Sequence, residues 1–256
     1  MTATLNTPIL EIENLGKAFG ALKVLTDVNL TVNAGEFVGL IGPNGAGKTT
    51  LFNVVTGFLT PSHGKVSFAG GDITHAKPHQ RVRAGIVRTF QKSMVFPDLT
   101  VLENLALAVR ALEHGYGWWR SSKHIARADA QALDVLGRAG MQSHAYKAVS
   151  SLSYGEQRII DVLVSLAMKP RMLLLDEPTA GLSKAEGDLL IEVIRATGTG
   201  TSIILVAHDL DIVFSVCDRV AVLDLGRMIA CDTPAAIRAH EGAQAAYLGK
   251  NKEASA

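Results

Sequence analysis

Gly42-Pro43-Asn44-Gly45-Ala46-Gly47-Lys48-Thr49 fills every fixed position of the pattern G-x-x-x-x-G-K-[ST]. Upstream, Phe37-Val38-Gly39-Leu40-Ile41 reads as a buried strand, and the residues from Thr50 onward read as a helix. Strand, glycine-rich loop and helix in that order form a cradle for an anion. Glycines at the bends let successive backbone N–H groups turn inward around a triphosphate, and the helix N-terminus adds the positive end of its dipole. Lys48 can reach the β/γ-phosphates as a point charge, while the Thr49 hydroxyl is a suitable ligand for the Mg²⁺ that bridges them. Gly42, Pro43, Asn44, Gly45, Ala46, Gly47, Lys48, Thr49 and Thr50 are therefore the candidate nucleotide-binding residues.

The 256-residue chain is long enough for a large core. A net charge of +1 argues against a general nucleic-acid binder, which needs a dense basic face. Although 48% of the residues are hydrophobic, the richest runs are broken by charge: Asp161 interrupts Ile159–Met168, and Asp176 ends Met172–Leu175. No run approaches the roughly 20 apolar residues of a spanning helix. Met1–Thr7 has neither a basic nor an apolar stretch, so no secretory signal is expected. Cys217 and Cys231 lack metal-site spacing and read as reduced thiols of a cytosolic protein.

Ile9–Leu15 and Val24–Val32 read as an antiparallel β lead-in with a turn around Gly16–Gly20, and Lys65–Ala69 reads as a further short strand. From about residue 96 to 168 the pattern becomes helical, with Val101–Val109 and Ile125–Arg138 rich in alanine and leucine. After Pro170, the buried-strand runs Met172–Leu175, Ser202–Val206 and Val220–Leu223 alternate with the helical stretches Ala185–Thr197 and Leu210–Cys217. That alternation predicts an α/β fold with a mainly parallel sheet.

Met172-Leu173-Leu174-Leu175-Asp176-Glu177 is an apolar strand ending in two acids. Ligands of doubly wound sheets sit at that strand edge, so Asp176 is the candidate Mg²⁺ ligand and Glu177 the candidate base for water. Leu152-Ser153-Tyr154-Gly155-Glu156-Gln157-Arg158 precedes an apolar helix, and Ser153 and Glu156 have capping-box spacing. Alone, that is a helix start. Beside the other motifs it resembles the signature of the ATP-binding subunits of ABC transporters, Leu-Ser-Gly-Gly-Gln, with Tyr154 in place of the first glycine and Glu156 in place of Gln.

In that family the motif caps the nucleotide held by the opposite protomer. The resemblance therefore implies a head-to-tail dimer, of like or paralogous chains, enclosing two ATP molecules with Mg²⁺ and contacting them through Ser153, Gly155 and Glu156. A helix N-terminus is compatible with that second anion site. Gln91, in Arg88-Thr89-Phe90-Gln91, resembles the glutamine that senses Mg²⁺ and the attacking water and couples the core to the membrane partner. His208 resembles the switch histidine on the γ-phosphate, and Phe19 the aromatic that stacks on adenine. The loop Ala180-Gly181-Leu182-Ser183 departs from the family, which usually has aspartate at the position of Ser183.

The resemblance spans about residues 10–249. It implies one P-loop NTPase cassette over 8–249, with a RecA-like core at 8–95 and 169–249, an inserted helical sub-domain at about 96–168 and a flexible tail at 250–256. Leu-Ser-Tyr-Gly, the Ala180-Gly181-Leu182 turn, the segment Leu112–Ile125 and the ending Ala246-Tyr247-Leu248-Gly249 look like importer ATPases for branched-chain amino acids or related small polar or carboxylate solutes. The alternatives are a lipopolysaccharide-type exporter ATPase, which shares similar endings, and a non-transport ABC ATPase, opposed by the single cassette and short insert. A regulatory module without turnover is opposed by intact Lys48, Asp176, Glu177 and His208. The implied partners are ATP, a second ATP-binding subunit, transmembrane permease subunits and, indirectly, a periplasmic solute-binding protein. The implied location is cytoplasmic, peripheral on the inner face of the membrane. The segment holding Trp118 and Trp119 reads as a loop packed on the helical region, with a contact to the transmembrane subunit or to membrane headgroups as its alternative.

Overall fold

The computed structural model describes residues 7–89, 95–113, 122–207 and 209–248. Two sheets carry the architecture. One is antiparallel, with strand order β2-β1-β4-β5, formed by β1 (Pro8–Phe19), β2 (Leu22–Asn33), β4 (His63–Phe68) and β5 (Gly71–Asp72). The other, with order β10-β9-β3-β8-β7-β6, is formed by β3 (Phe37–Ile41), β6 (Ile86–Arg88), β7 (Met172–Asp176), β8 (Ser202–Val206), β9 (Arg219–Asp224) and β10 (Arg227–Asp232). Its pairings are parallel except at the β9–β10 edge.

The strands β3, β7 and β8 at the centre of the second sheet are buried at every position and apolar at nearly all of them, because both faces are covered. Val38, Leu40, Leu174, Ile204 and Ala221 point into a core shared with the antiparallel sheet and with Leu51, Phe52, Val54 and Val55 of α1 (Lys48–Val55). Their alternate neighbours Phe37, Ile41, Leu173, Leu175, Ile203 and Leu205 pack into a second core. That core is completed by α3 (Val101–Glu113), α4 (Ser122–Arg138), α5 (Tyr154–Ala167), α6 (Lys184–Thr197) and α7 (Leu210–Val216). Between residues 95 and 168 the named elements are helical, as the spacing predicts.

Several expectations shift. β1 continues through Gly16 to Phe19, and the hairpin turns at Gly20–Ala21 instead of between Gly16 and Gly20. Gly16 stays in the strand because it pairs with His63 of β4, whose ring occupies the space a Cβ would need. β6, β10, α2 (Pro78–Ala84), α8 (Pro234–Ala239) and α9 (Glu241–Leu248) carry no named expectation. They are three to eight residues long, too short for periodicity to stand out. Among the described residues no helix is long and apolar enough to cross a membrane. The tail 250–256 and the two tryptophans lie outside the described residues.

α1 is the element whose position matters most, since it grows directly from the glycine-rich loop. Its C-terminal end is held by Arg81 of α2, a side chain only 1% exposed. The guanidinium donates to the carbonyls of Val54 and Val55 at 2.8 Å each and to those of Thr74 and Ala76 at 3.0 Å each. These bonds satisfy two last-turn carbonyls of α1 and place a cation at the negative end of its dipole. Burial pulls the Arg81 pKa down to about 10. Arg81→Met is expected to lower the unfolding free energy by roughly 3 kcal/mol, because buried carbonyls lose their donors. Urea denaturation reads the shift, and a wild-type midpoint would remove Arg81 from this role.

Candidate nucleotide-binding site

The loop leaves β3 at Ile41 and enters α1 at Lys48. Gly42 has φ +155, and a Cβ there would lie 2.0 Å from the carbonyl oxygen of Leu223, so the loop presses against β9 as only glycine permits. From below, the Gly226 N–H donates to the carbonyl of Ala46 at 3.0 Å. Asn44, Gly45 and Thr49 are exposed, while Pro43 and Thr50 are half-buried. A cavity of about 240 Å³ is lined by loop residues 44–50, Val24 and Glu177.

Lys48 is buried and folds back over its own loop, where Nζ donates to the carbonyls of Gly42 at 2.5 Å and Pro43 at 2.9 Å. Burial lowers its pKa below the usual lysine value, and the nearby carboxylates of Glu177 and Asp176 oppose that shift. Asp176 closes β7, and its pairing with Val206 on β8 sets the two strand ends side by side. Arg88 Nη2 donates to Asp176 Oδ2 at 2.7 Å.

Glu177, the first residue beyond β7, has a left-handed backbone at φ +48, unusual for a residue with a side chain. Such a conformation persists where surrounding bonds over-determine it. Here the Glu177 N–H donates to the Val206 carbonyl at 2.8 Å, and the Glu177 carbonyl accepts from the Ala180 N–H at 3.1 Å. Arg158 of α5, 5% exposed, adds Nη2 to the Glu177 carbonyl at 3.1 Å and Nε to the Pro178 carbonyl at 3.0 Å. Its Nη1 reaches Asp161 Oδ2 at 3.4 Å. The helix that begins at the Ser153 motif is thus tied to the backbone of the acid pair.

At the start of α5 the expected capping box is present: the Glu156 N–H donates to Ser153 Oγ at 3.3 Å, and the Ser153 N–H to Glu156 Oε2 at 2.8 Å. The other Glu156 oxygen meets His144 Nε2 at 3.1 Å, so both oxygens are engaged within the chain. The bonds from Ser153, with the His144 contribution, hold the Glu156 pKa below the usual range. Ser183 builds the same box at the start of α6, accepting from the Glu186 N–H at 3.4 Å and donating its hydroxyl to Glu186 Oε2 at 2.7 Å. The two helix starts abut. A Cβ on Gly155 would lie 2.5 Å from Glu186 Oε1, and the Tyr154 hydroxyl donates to the Ala180 carbonyl at 3.3 Å.

The structure therefore brings the loop, Asp176 and Glu177 together, whereas Ser153, Gly155 and Glu156 form no part of the loop cavity. Phe19 stands at the end of β1, 48% exposed, with Lys17 Nζ 5.0 Å from its ring centroid. Gln91 and His208 lie outside the described residues; β6 ends at Arg88, three residues before Gln91, and β8 ends at Val206, two residues before His208. Arg88 and Arg158 carried no sequence expectation, although both sit inside quoted motifs. Apart from the i,i+3 contact of Arg158 with Asp161, their partners come from other elements, so no local pattern marks their links to the site. As for Mg²⁺, an exposed Thr49 hydroxyl on the first turn of α1 and the Asp176 carboxylate suit a cation that takes few protein oxygens and completes its shell from phosphate and water. No cluster of three His, Cys, Asp or Glu side chains able to hold a metal occurs among the described residues.

A family model described as ABC transporter matches residues 25–180, more than half the chain. The high-affinity branched-chain amino acid transport ATP-binding protein LivG of Escherichia coli (strain K12) is 37% identical over 254 residues, covering 96% of this chain and all of that protein. The corresponding protein BraF of Pseudomonas aeruginosa is 36% identical with the same coverage. Among solved structures, the ADP conformation of MJ1267, an ATP-binding cassette of an ABC transporter, superposes with a TM-score of 0.83 at 30% identity, covering 95% of this chain and all of that one. Loop, acid pair, sheet order and relatives agree: the chain belongs to the ATP-binding cassettes of the ABC transporter family.

Proposed function

We propose that this cassette binds MgATP at the glycine-rich loop, closes on a second cassette, and by hydrolysis drives the permease of an importer for branched-chain amino acids or closely related solutes. The observation that carries the reading is that Glu177 lines the same cavity as Lys48 and Thr49, with Asp176 immediately before it at the end of β7. The substrate class follows the names of LivG and BraF.

Lys48 turns from the Gly42 and Pro43 carbonyls onto the β/γ-phosphates, which offer it a full negative charge in place of two dipoles. The amides of residues 44–47 and the start of α1 hold the remaining oxygens. Thr49 and Asp176 would hold Mg²⁺, and the resemblance of Gln91 to the family's glutamine adds it as a further ligand. When bound, that cation would offset negative charge on the transferring phosphoryl group. Glu177 orients the attacking water and accepts its proton, and His208 completes the water's surroundings at the end of β8. Phe19 offers a flat face for the base.

Because Ser153 and Gly155 stand apart from the cavity of their own loop, the α5 N-terminus serves the nucleotide of a second cassette. The Glu156 carboxylate then acts by fixing the helix start, since both its oxygens are engaged within its own chain. Glu177→Gln is expected to preserve MgATP binding, to lower steady-state phosphate release by about 10²–10⁴-fold, and to accumulate an ATP-dependent dimer. Near-normal release by that variant would overturn the base assignment, and wild-type release that persists without Mg²⁺ would overturn the metal site.

A groove of about 250 Å³ between α2, β6 and α5 supports the coupling to a permease. Its wall is mostly apolar, with Val82, Ile86, Val87, Val164 and Met168, and Phe58 stands at its rim, 55% exposed. It lies where β6 leads toward Gln91, so a permease segment seated there touches the same strand that serves the nucleotide edge. Phe58→Asp is expected to abolish copurification with the permease while ATP binding by the isolated subunit persists; undiminished copurification would place the docking surface elsewhere.

A further inference from the structure

Arg88, the last residue of β6, divides its guanidinium between two elements of the site. Nη2 donates to Asp176 Oδ2 at 2.7 Å and Nη1 to Asn53 Oδ1 at 2.5 Å, while the group lies 5.5 Å from the centroid of the Phe52 ring. The Arg88 and Asp176 side chains are 9% and 11% exposed, so the ion pair is shielded from water. Removing one partner of such a pair leaves the other charge buried, which makes the contact a firm constraint on position.

Asn53 lies one helical turn beyond Thr49 on the same face of α1. Asp176 ends β7. One planar guanidinium therefore ties the helix that carries Thr49 to the strand end that carries Asp176. Lysine, with a single ammonium, could meet one of these acceptors well but not both with fixed geometry. The tie matters because Mg²⁺ demands near-ideal octahedral coordination at about 2.0–2.1 Å and tolerates little drift between its oxygens.

We infer that Arg88 is a positioning residue of the metal site, fixing the spacing and orientation of α1 and β7 so that the Thr49 hydroxyl and the Asp176 carboxylate present one divalent cation with a ready-made pair of oxygens. The inference rests on the proposed roles of Thr49 and Asp176. It adds a function for a side chain that touches neither nucleotide nor metal. It also gives the buried Asp176 carboxylate a counter-charge at times when no cation is bound.

The test is Mn²⁺ binding to the full-length protein in the presence of ADP, followed by electron paramagnetic resonance, so that no turnover is needed. Arg88→Met is expected to weaken Mn²⁺ binding about 10–100-fold, the usual effect of removing a group that orients a ligating carboxylate. ADP binding in EDTA stays at the wild-type level, and in ATPase assays the KM for Mg²⁺ rises more than kcat falls. Arg88→Lys keeps the charge beside Asp176 but loses the Asn53 arm, so its Mn²⁺ affinity falls between the two. A purely structural role would instead reduce ADP binding in EDTA together with Mn²⁺ binding, and that result overturns the inference. So does wild-type Mn²⁺ affinity in Arg88→Met, or in Arg88→Lys should the methionine variant fail to fold. Asp176→Asn separates the two levels: if it leaves Mn²⁺ affinity unchanged, the metal-site reading fails and takes this inference with it. If it weakens Mn²⁺ while Arg88→Met does not, only the inference about Arg88 fails.

Discussion

The nucleotide site depends on the parallel hydrogen-bonded register of β3, β8 and β7. Val38 pairs with Ile204, and Asp176 pairs with Val206, so the chain leaves these strands at one edge. The glycine-rich loop and the Asp176–Glu177 pair emerge there together, and the segment after β8 leads to His208. Parallel strands are stable only when both faces are covered, which is why the central strands are buried at every position and almost wholly apolar. α1 and the antiparallel sheet cover one face, while α5, α6 and α7 cover the other. The architecture that hides the sheet is therefore the same one that presents a helix N-terminus to phosphate.

Three arginines, Arg81 and Arg158 buried and Arg88 half-buried, adjust this frame through acceptors on other elements. Arg81 holds the C-terminal carbonyls of α1, Arg88 joins α1 to the end of β7, and Arg158 joins α5 to the backbone of Glu177 and Pro178. A guanidinium suits such positions because it stays charged when buried and offers donors in a planar fork. The left-handed backbone of Glu177 shows what the bonding achieves. An unfavourable local conformation is held in place at the residue proposed to handle the attacking water. The link from Arg158 also means that the α5 helix start, which is no part of its own loop cavity, cannot shift without disturbing the carbonyls of Glu177 and Pro178.

The sequence made the central sheet legible because its strands combine unbroken apolar runs with punctuation by glycine, proline and paired acids. Phe37–Ile41 and Ser202–Val206 coincide with their strands residue for residue. The Ser153 capping box was equally readable, since its donors and acceptors are only three residues apart. The three-residue β6 and half-exposed β10 gave no comparable signal. Gly16 was misplaced into a turn because its reason for being glycine is the ring of His63, a residue distant in the chain. Arg88 and Arg158 stayed unassigned for the same reason. Their acceptors, Asp176, Glu177 and Pro178, arrive through tertiary contacts, and spacing along the chain carries no trace of them.

In the proposed assembly the loop of one cassette and the α5 helix start of another share a nucleotide. A crystal structure of the Glu177→Gln variant with MgATP tests it most directly. The account predicts a γ-phosphate bound by Lys48 of one cassette and by the Ser153 hydroxyl and Gly155 amide of a second. An ATP molecule enclosed by one chain alone, with Ser153 and Gly155 of every copy far from any phosphate, would contradict it.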